Sequence, residues 1–313
     1  PAWAVTNLSI SSRIPLVPRM FDVAIIDEAS QCDIPSAIPI LFRAKRAGVV
    51  GDRNQLSHTT NLSPARNIML LSAYGLVGLS DQRFSYIDTS LFDLFAETNG
   101  VHPIWLLDHY RCAFGIAEYA NKTFYGSRLR IATAADRLRI PQGQEPGIHW
   151  TEISAVIEPK PNGCAAPEEA EAIATLLRQL LVDQRFEGTV GVVTPFQQQK
   201  QLINSLIYSD SELSNAGVKA HLIVDTAHGF QGDERDVMFM SLCAGPDMPK
   251  GSLLFLGKTA NLLNVAATRA RAVLHIVGNK TWAIQCGIKH ISSLARPWRQ
   301  GPMPTGSVEE RFE

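Results

Sequence analysis

The chain has 313 residues, 45% hydrophobic and 19% charged, with 29 Lys plus Arg against 30 Asp plus Glu. That balance excludes a disordered chain, and the near-zero net charge excludes nucleic-acid binding by bulk positive charge, so any such binding needs a local groove. The five cysteines (Cys32, Cys112, Cys164, Cys243, Cys286) are scattered without a Cys-x-x-Cys pair. This argues against a zinc site or disulfide framework and predicts free thiols in a reducing, cytoplasmic compartment, or the nucleus of a eukaryotic cell. No apolar run reaches membrane-spanning length and no signal peptide is visible, so no membrane partner is expected.

The chain starts at Pro1, and Ala2–Ile10 already reads as the middle of a domain, so a fragment is expected. Val23–Ile26 predicts a buried strand that runs directly into Asp27 and Glu28. Ile34–Phe42 predicts a helix, with Pro35 tolerated in its first turn. Ala47–Val50 predicts a second strand, ending at Gly51-Asp52. The section after it, including NLSPARN and GLVGLSDQ, reads as loop. DTSLFDLFAE opens on cap-type residues and predicts a helix. His102–Leu107 predicts a strand and residues 112–125 a helix. Between Arg137 and Asn162, proline and glycine break the pattern around one strand at Ile148–Ile153. PEEAEAIATLLRQLLVDQ predicts the clearest helix: Pro167 at its start, acids in its first turn, and Ala170, Ile173, Leu176, Leu177, Leu180 and Leu181 on one face. Strands follow at Val190–Thr194, His221–Val224, Val237–Leu242 and Val273–Val277, and the tail after Pro297 reads as loose. Strands apolar on both faces, alternating with helices, predict an α/β fold with a mainly parallel sheet.

Several stretches carry chemistry. An apolar strand ending in two acids is a form that nucleotide hydrolases use to hold magnesium, one acid binding the ion and the other polarising water. A strand ending in two solvated acids fits Asp27 and Glu28 as well. GDRNQL puts Gln55 at the carboxyl edge of the next strand, where ligands bind in open α/β sheets; it also fits a polar turn. LLDHYRC puts Tyr110, suited to stacking, and Arg111, suited to phosphate charge, after a strand. A packed Tyr beside a surface Arg is the plainer alternative. VGVVTPFQQQ ends a strand with Thr194, Pro195 and Phe196 and then starts a helix. Hydroxyl, helix N-terminus and ring suit a nucleic-acid backbone and base, and they equally suit an ordinary strand-to-helix turn. VDTAHGFQGDERDV sets Gly229 and Gly232 around an aromatic and a Gln, which lets backbone approach a ligand closely. NLLNVAATRARAVLHIVGN places Arg269 and Arg271 two apart on a helix that leads into a buried strand, so they point in different directions and one can enter a cleft as an arginine finger.

In order, DEAS, GDRNQL, HYR, TPF, TAHGFQGDERD and NVAATRAR resemble motifs II to VI of superfamily 1 helicases. The nearest branch is the nonsense-mediated-decay and senataxin-like group, which moves 5′ to 3′. The resemblance runs from about Trp3 to about Asn279. It implies a RecA-like P-loop NTPase architecture, with mainly parallel sheets flanked by helices. Residues 1–103 would be the second half of one RecA-like domain, 104–296 a complete second one and 297–313 a tail. It implies ATP and Mg2+ as cofactors and single-stranded DNA or RNA as partner. Asp27 would bind Mg2+, Glu28 activate water and Gln55 contact the γ-phosphate. Tyr110 would stack on adenine, and Arg111 and Arg269 would reach the phosphates. Gly232 and Glu234 would sit at the nucleotide, Glu234 on the ribose. Thr6, Thr194, Pro195, Phe196, Thr226 and His228 fall where relatives touch the single strand.

His109 departs from the pattern, since relatives often carry Gln before Tyr-Arg; no role is assigned to it. Cys112-Ala113 stands where many have Met-His. A larger departure concerns the phosphate-cradling loop G-x-x-x-x-G-K-[ST], for which nothing upstream of residue 27 serves. Gly257-Lys258-Thr259 lies too late, with Ser252 where the loop's first Gly belongs. The loop is therefore expected in an N-terminal remainder of the same polypeptide, and this chain alone is expected to hydrolyse ATP poorly. Two other readings stay open: a non-hydrolysing scaffold for nucleic acid or protein, and the motor of a nuclease–helicase, although no nuclease carboxylate cluster is visible in this segment.

Overall fold

The computed structural model describes residues 2–60, 62–76, 85–161, 163–230 and 232–298. The chain divides into two units, Pro1–Trp105 and Leu106–Glu313.

In the first unit, helix α1 (Ile10–Arg13) leads to strand β1 (Phe21–Ile26), helix α2 (Ile34–Phe42) and strand β2 (Ala44–Val49). β1 and β2 pair in parallel, with Ile26 opposite Val49, and α2 is the crossover between them. α2 starts where it does because Asp33 accepts the N–H of Ser36 at 2.8 Å and Pro35 follows in the first turn. At its other end the buried guanidinium of Arg43 donates to the carbonyls of Ile14, Pro15 and Pro39. One side chain thus ties the segment before β1 to the last turn of α2. Helix α3 (Pro64–Ala73) follows, then α4 (Leu91–Ala96), which begins with a capping box between Ser90 and Asp93. Leu91 and Ala37 pack with Ile26, Ala29 and Cys32 in the unit's core.

Two expectations fail in this unit. β1 is not buried on both faces: Ile25 is 75% exposed, because helices cover only one side of the two-stranded pair and alternate residues face outward. α3 forms inside the section read as loop. Its start signal was present, since Ser63 accepts the N–H of Arg66 and Pro64 opens the helix. GLVGLSDQ lies largely outside the described residues.

The second unit opens with strand β3 (Asp108–His109), helix α5 (Phe114–Phe124) and strand β4 (Arg130–Ile131), β4 pairing with β3. Then come β5 (Gly147–Glu152), the antiparallel hairpin β6 (Glu158–Lys160) with β7 (Gly163–Ala165), α6 (Pro167–Arg178), β8 (Val190–Val193), α7 (Gln197–Ser209) and α8 (Ser211–Lys219). The rest is β9 (Ile223–Asp225), β10 (Arg235–Ser241), α9 (Lys250–Lys258), α10 (Ala260–Thr268), β11 (Ala270–Gly278), α11 (Lys280–Gln285) and α12 (Lys289–Leu294). Five strands form one parallel sheet in the order β5-β11-β10-β8-β9. Every residue of β8 and β10 is buried, as expected for central parallel strands covered on both faces. Ile173 and Leu177 of α6, Ile203 of α7 and Ile116 of α5 are fully buried, each contributing roughly 1.5–3 kcal/mol by leaving water.

The predicted strand at His102–Leu107 is absent. Pairing begins only at Asp108, and Ile104 is 90% exposed; Pro103 also has no N–H to give a ladder. The long helix predicted to Gln184 is α-helical only to Arg178 and continues as a π-helical turn over Gln179–Asp183. Of the residues after Pro297, Trp298 is described: its ring lies 5.7 Å from that of Tyr119.

Strand order positions the site. The chain leaves β8 for β9 on one side, then crosses to β10 and β11 on the other. The carboxyl ends of β8 and β10 therefore flank a topological switch point, the place where open α/β sheets form a ligand crevice.

Candidate active site and nucleic-acid interface

In the first unit, parallel pairing brings the carboxyl ends of β1 and β2 side by side. The N–H of Val50 donates to the Ile26 carbonyl at 2.9 Å, and that of Ala29 to the Val50 carbonyl at 2.8 Å. Asp27 and Glu28 leave β1 at this edge, and the loop carrying Gln55 leaves β2 beside them. Glu28 is held at φ 51°, ψ 36°, a left-handed conformation costing about 1–2 kcal/mol for a residue with a Cβ. Its N–H donates to Asp27 Oδ1 at 2.8 Å, and its carboxylate accepts from Gln31 Nε2 at 3.2 Å. The turn thus throws two exposed carboxylates outward from a fixed strand end. Gln55 Nε2 donates to Asp52 Oδ2 at 3.1 Å, and the Asp52 N–H donates to Ser30 Oγ at 2.6 Å. Gly51 makes this closure possible, since a Cβ there would fall 2.7 Å from both Ser30 Oγ and Phe92 Cδ2.

An exposed Asp at a strand end fits Mg2+, which keeps several waters and takes one or two carboxylates plus phosphate oxygens. Among the described residues no group of three or more His, Cys, Asp or Glu could hold a metal by itself. Asp27 therefore suits an ion that arrives with a nucleotide. Gly257-Lys258-Thr259 occupies the end of α9, with the Thr259 hydroxyl donating to the Phe255 carbonyl at 2.8 Å. A phosphate loop must instead aim backbone N–H groups at the ligand from a helix start.

In the second unit, residues from three distant motifs meet. Arg111 Nε lies 2.8 Å from Glu234 Oε2, while Glu234 Oε1 lies 3.5 Å from Arg271 Nη1. Arg269, buried, donates from Nη1 to the Asp233 carbonyl at 3.2 Å. The two arginines of TRAR do not share a helix as predicted: α10 ends at Thr268, Arg269 caps it, and Arg271 already belongs to β11. The cluster sits where β10 and β11 begin, Arg235 facing Ala270 in the ladder. Sequence reasoning left Arg271 without a place, although its position one step into a strand after a capping Arg was a readable signal. Arg111 and Glu234 are each about 40% exposed, so water screens their pair and it contributes at most about 1 kcal/mol; such a pair is easily exchanged. Tyr110 is exposed beside Arg111. Gly232, at φ +71°, makes the left-handed turn into the acidic run.

The candidate strand-contacting residues of this unit lie at the opposite edge of the sheet. Thr194, Pro195 and Phe196 follow β8 at the switch point, and Thr226 to His228 follow β9. The buried Thr194 Oγ1 has no hydrogen-bond partner among the described residues. Phe196 differs from its expected use as an open stacking face: it is 5% exposed and its ring packs 5.7 Å from that of Phe255. Thr226 is buried, its N–H donating to Asp225 Oδ1 at 2.7 Å, and His228 is exposed. Lys200 Nζ pairs with the same Asp225 oxygen at 2.7 Å. In the first unit, Thr6 is exposed, its hydroxyl donating to Ser9 Oγ at 2.9 Å.

The second unit, a five-stranded parallel sheet flanked by helices with arginines gathered where two strands begin, has the α/β architecture of RecA-like P-loop NTPases; the first unit carries its acids and Gln beyond the strand ends of a separate parallel pair. Residues 87–281 match one AAA-domain family and residues 5–62 another. The chain is 28% identical over 297 residues to the DNA replication ATP-dependent helicase/nuclease JHS1 of Arabidopsis thaliana, covering 88% of this chain and 20% of that protein. It is 30% identical over 287 residues to a probable helicase of Dictyostelium discoideum, covering 88% and 26%. Identity to helicase SEN1 of Saccharomyces cerevisiae is 28% over 273 residues, covering 83% and 11%. The chain belongs to the AAA-domain superfamily 1 helicases of the Sen1-like group. It spans about a quarter or less of the length of these relatives. No helix among the described residues is long and apolar enough to cross a membrane.

Proposed function

We propose that the protein is part of an ATP-driven motor that moves 5′ to 3′ on single-stranded DNA or RNA. The observation that carries this reading is the sorting of side chains by sheet edge in the second unit. Arg111, Glu234 and Arg269 gather where β10 and β11 begin. Thr194, Thr226 and His228 lie where β8 and β9 end. Phosphate chemistry and strand contact are thereby kept apart on one rigid sheet, which suits a device that couples one to the other.

In this reading Asp27 would hold Mg2+ through its exposed carboxylate, and the ion would supply charge to offset that of the phosphates. Glu28, fixed by its left-handed turn, takes the proton of the attacking water, and Gln55 contacts the γ-phosphate. Tyr110 stacks on the base, Arg111 and Arg269 bring positive charge to the phosphates, and Gly232 and Glu234 line the nucleotide. Thr6, Thr194, Thr226 and His228 contact the strand, with Pro195 and Phe196 as a packed floor. Such contacts tolerate any sequence and weaken with salt.

The test is ATP turnover by the natural full-length polypeptide with and without single-stranded DNA or RNA. Glu28→Gln is expected to lower the stimulated kcat by about 100-fold or more, the range for loss of a general base. Stimulated turnover untouched by Glu28→Gln refutes the proposal. Among the described residues none forms a phosphate loop, so the 313-residue chain alone should turn over far more slowly than the full-length protein.

A further inference from the structure

We propose that His109 is a positioning residue whose imidazole shapes the turn that presents Tyr110 and Arg111. The relevance to turnover rests on the motor reading above; the geometry does not.

His109 is the last residue of β3. Its carbonyl accepts the Ala132 N–H at 2.8 Å, so its backbone is pinned to the chain beyond β4. Its Nε2 lies 3.0 Å from the backbone nitrogen of Cys112 and accepts that N–H. This bond closes a short loop with Tyr110 and Arg111 at its apex, both exposed. Beyond the loop the chain is anchored again. Cys112 is fully buried with its Sγ 3.4 Å from the Thr268 carbonyl, and the Ala113 N–H donates to the Arg271 carbonyl at 2.6 Å. The loop therefore spans from β4 to the very segment that carries Arg269 and Arg271. The imidazole sets how far Arg111 stands out toward Glu234.

The bond requires a neutral ring with its proton on Nδ1. Burial, reinforced by the nearby Arg111 charge, pushes the His109 pKa down to about 4, so the acceptor persists through the physiological range. Removing it leaves the Cys112 amide, in a part-buried site, without a protein partner, a state that folded chains avoid. A Gln at this position can put its Oε1 where Nε2 now stands. An Asn places its oxygen nearer the backbone, at the Nδ1 position, and a Leu fills the volume with no acceptor. A space-filling role would favour Leu, whereas a positioning role favours Gln.

The test uses the 313-residue chain and NMR. The His109 ring should show the Nδ1–H tautomer. His109→Leu should speed exchange of the Cys112 amide by about tenfold, the equilibrium equivalent of one lost hydrogen bond, and abolish the Arg111 Nε–H signal that its pairing with Glu234 slows. His109→Gln should restore both, and His109→Asn neither. In the full-length protein His109→Leu should lower kcat by about tenfold with KM little changed, and Gln should rescue it. An Nε2–H tautomer, or Gln behaving no better than Leu, overturns the inference. If the NMR pattern holds but the unmodified full-length protein shows no turnover, the motor reading falls and the positioning of Arg111 stands.

Discussion

Glu169 lies inside the second unit with no exposed surface. Its Oε2 accepts the Ser241 hydroxyl at 2.7 Å and the Cys243 N–H at 2.8 Å, while Oε1 has no partner among the described residues. Burial pushes its pKa up from 4.5 to about 8, against the two hydrogen bonds that favour the charged form. In the unfolded chain the carboxyl ionises near 4.5; in the folded chain it holds its proton to about pH 8. The folded state binds the extra proton, so the stability is fully present below pH 4.5 and is lost as pH rises through about 8. The whole loss is on the order of 4–5 kcal/mol, of which about 2 kcal/mol falls between roughly pH 6.5 and 8.5. Half-buried His109 and His275, both held down to about 4 by desolvation, act in the opposite sense. Their stability is present above their ordinary 6.5 and is lost as pH falls toward 4. Burial of Cys112 raises its thiol from 9.0 to about 12, so it acts only in more alkaline solution. These groups are common to the unsubstituted chain and a Glu169→Gln variant, so the difference between the two above pH 6.5 reports Glu169. Glu169→Gln keeps a neutral oxygen for Ser241 and Cys243 and removes the ionisation. Urea unfolding of both proteins, followed by circular dichroism from pH 6.5 to 8.5, should show the unsubstituted chain losing about 2 kcal/mol more than the variant. Parallel stability curves would refute the reasoning.

Two further substitutions probe the acidic edge of the first unit. Gly51→Ala pushes a methyl group into Ser30 and Phe92 and should cost about 1–3 kcal/mol in urea unfolding; an unchanged midpoint would mean that the loop yields freely. Glu28→Gly relieves the left-handed backbone and should gain about 0.5–1 kcal/mol while abolishing ATP turnover in the full-length protein. A loss of stability instead would show that the Gln31 contact outweighs the backbone strain.

Legibility followed the range of the interaction that decides each feature. The sequence predicts the strand after Thr189 and the helix at Pro167 because apolar runs, a cap proline and first-turn acids act within a few residues. Local pattern also suggested a strand at His102–Leu107, where it was wrong, because a strand exists only with a partner and the ladder begins at Asp108. Phe196 illustrates the same limit: TPF reads as an available ring, but Phe255, 59 positions later, covers it. Arg43 and Glu169 gave little warning, since each is defined by groups brought to it from far along the chain.

Residue order by itself determined the α/β class, the ordered motifs and the helicase resemblance, because these are written in local spacing and in the side chains present. Only the tertiary structure decided which strands are central, that the arginines and Thr194, Thr226 and His228 occupy opposite ends of the strands of one sheet, and that His109 closes the loop bearing Arg111. The physical reason is that burial, pairing and protonation depend on neighbours that folding supplies and that sequence proximity does not.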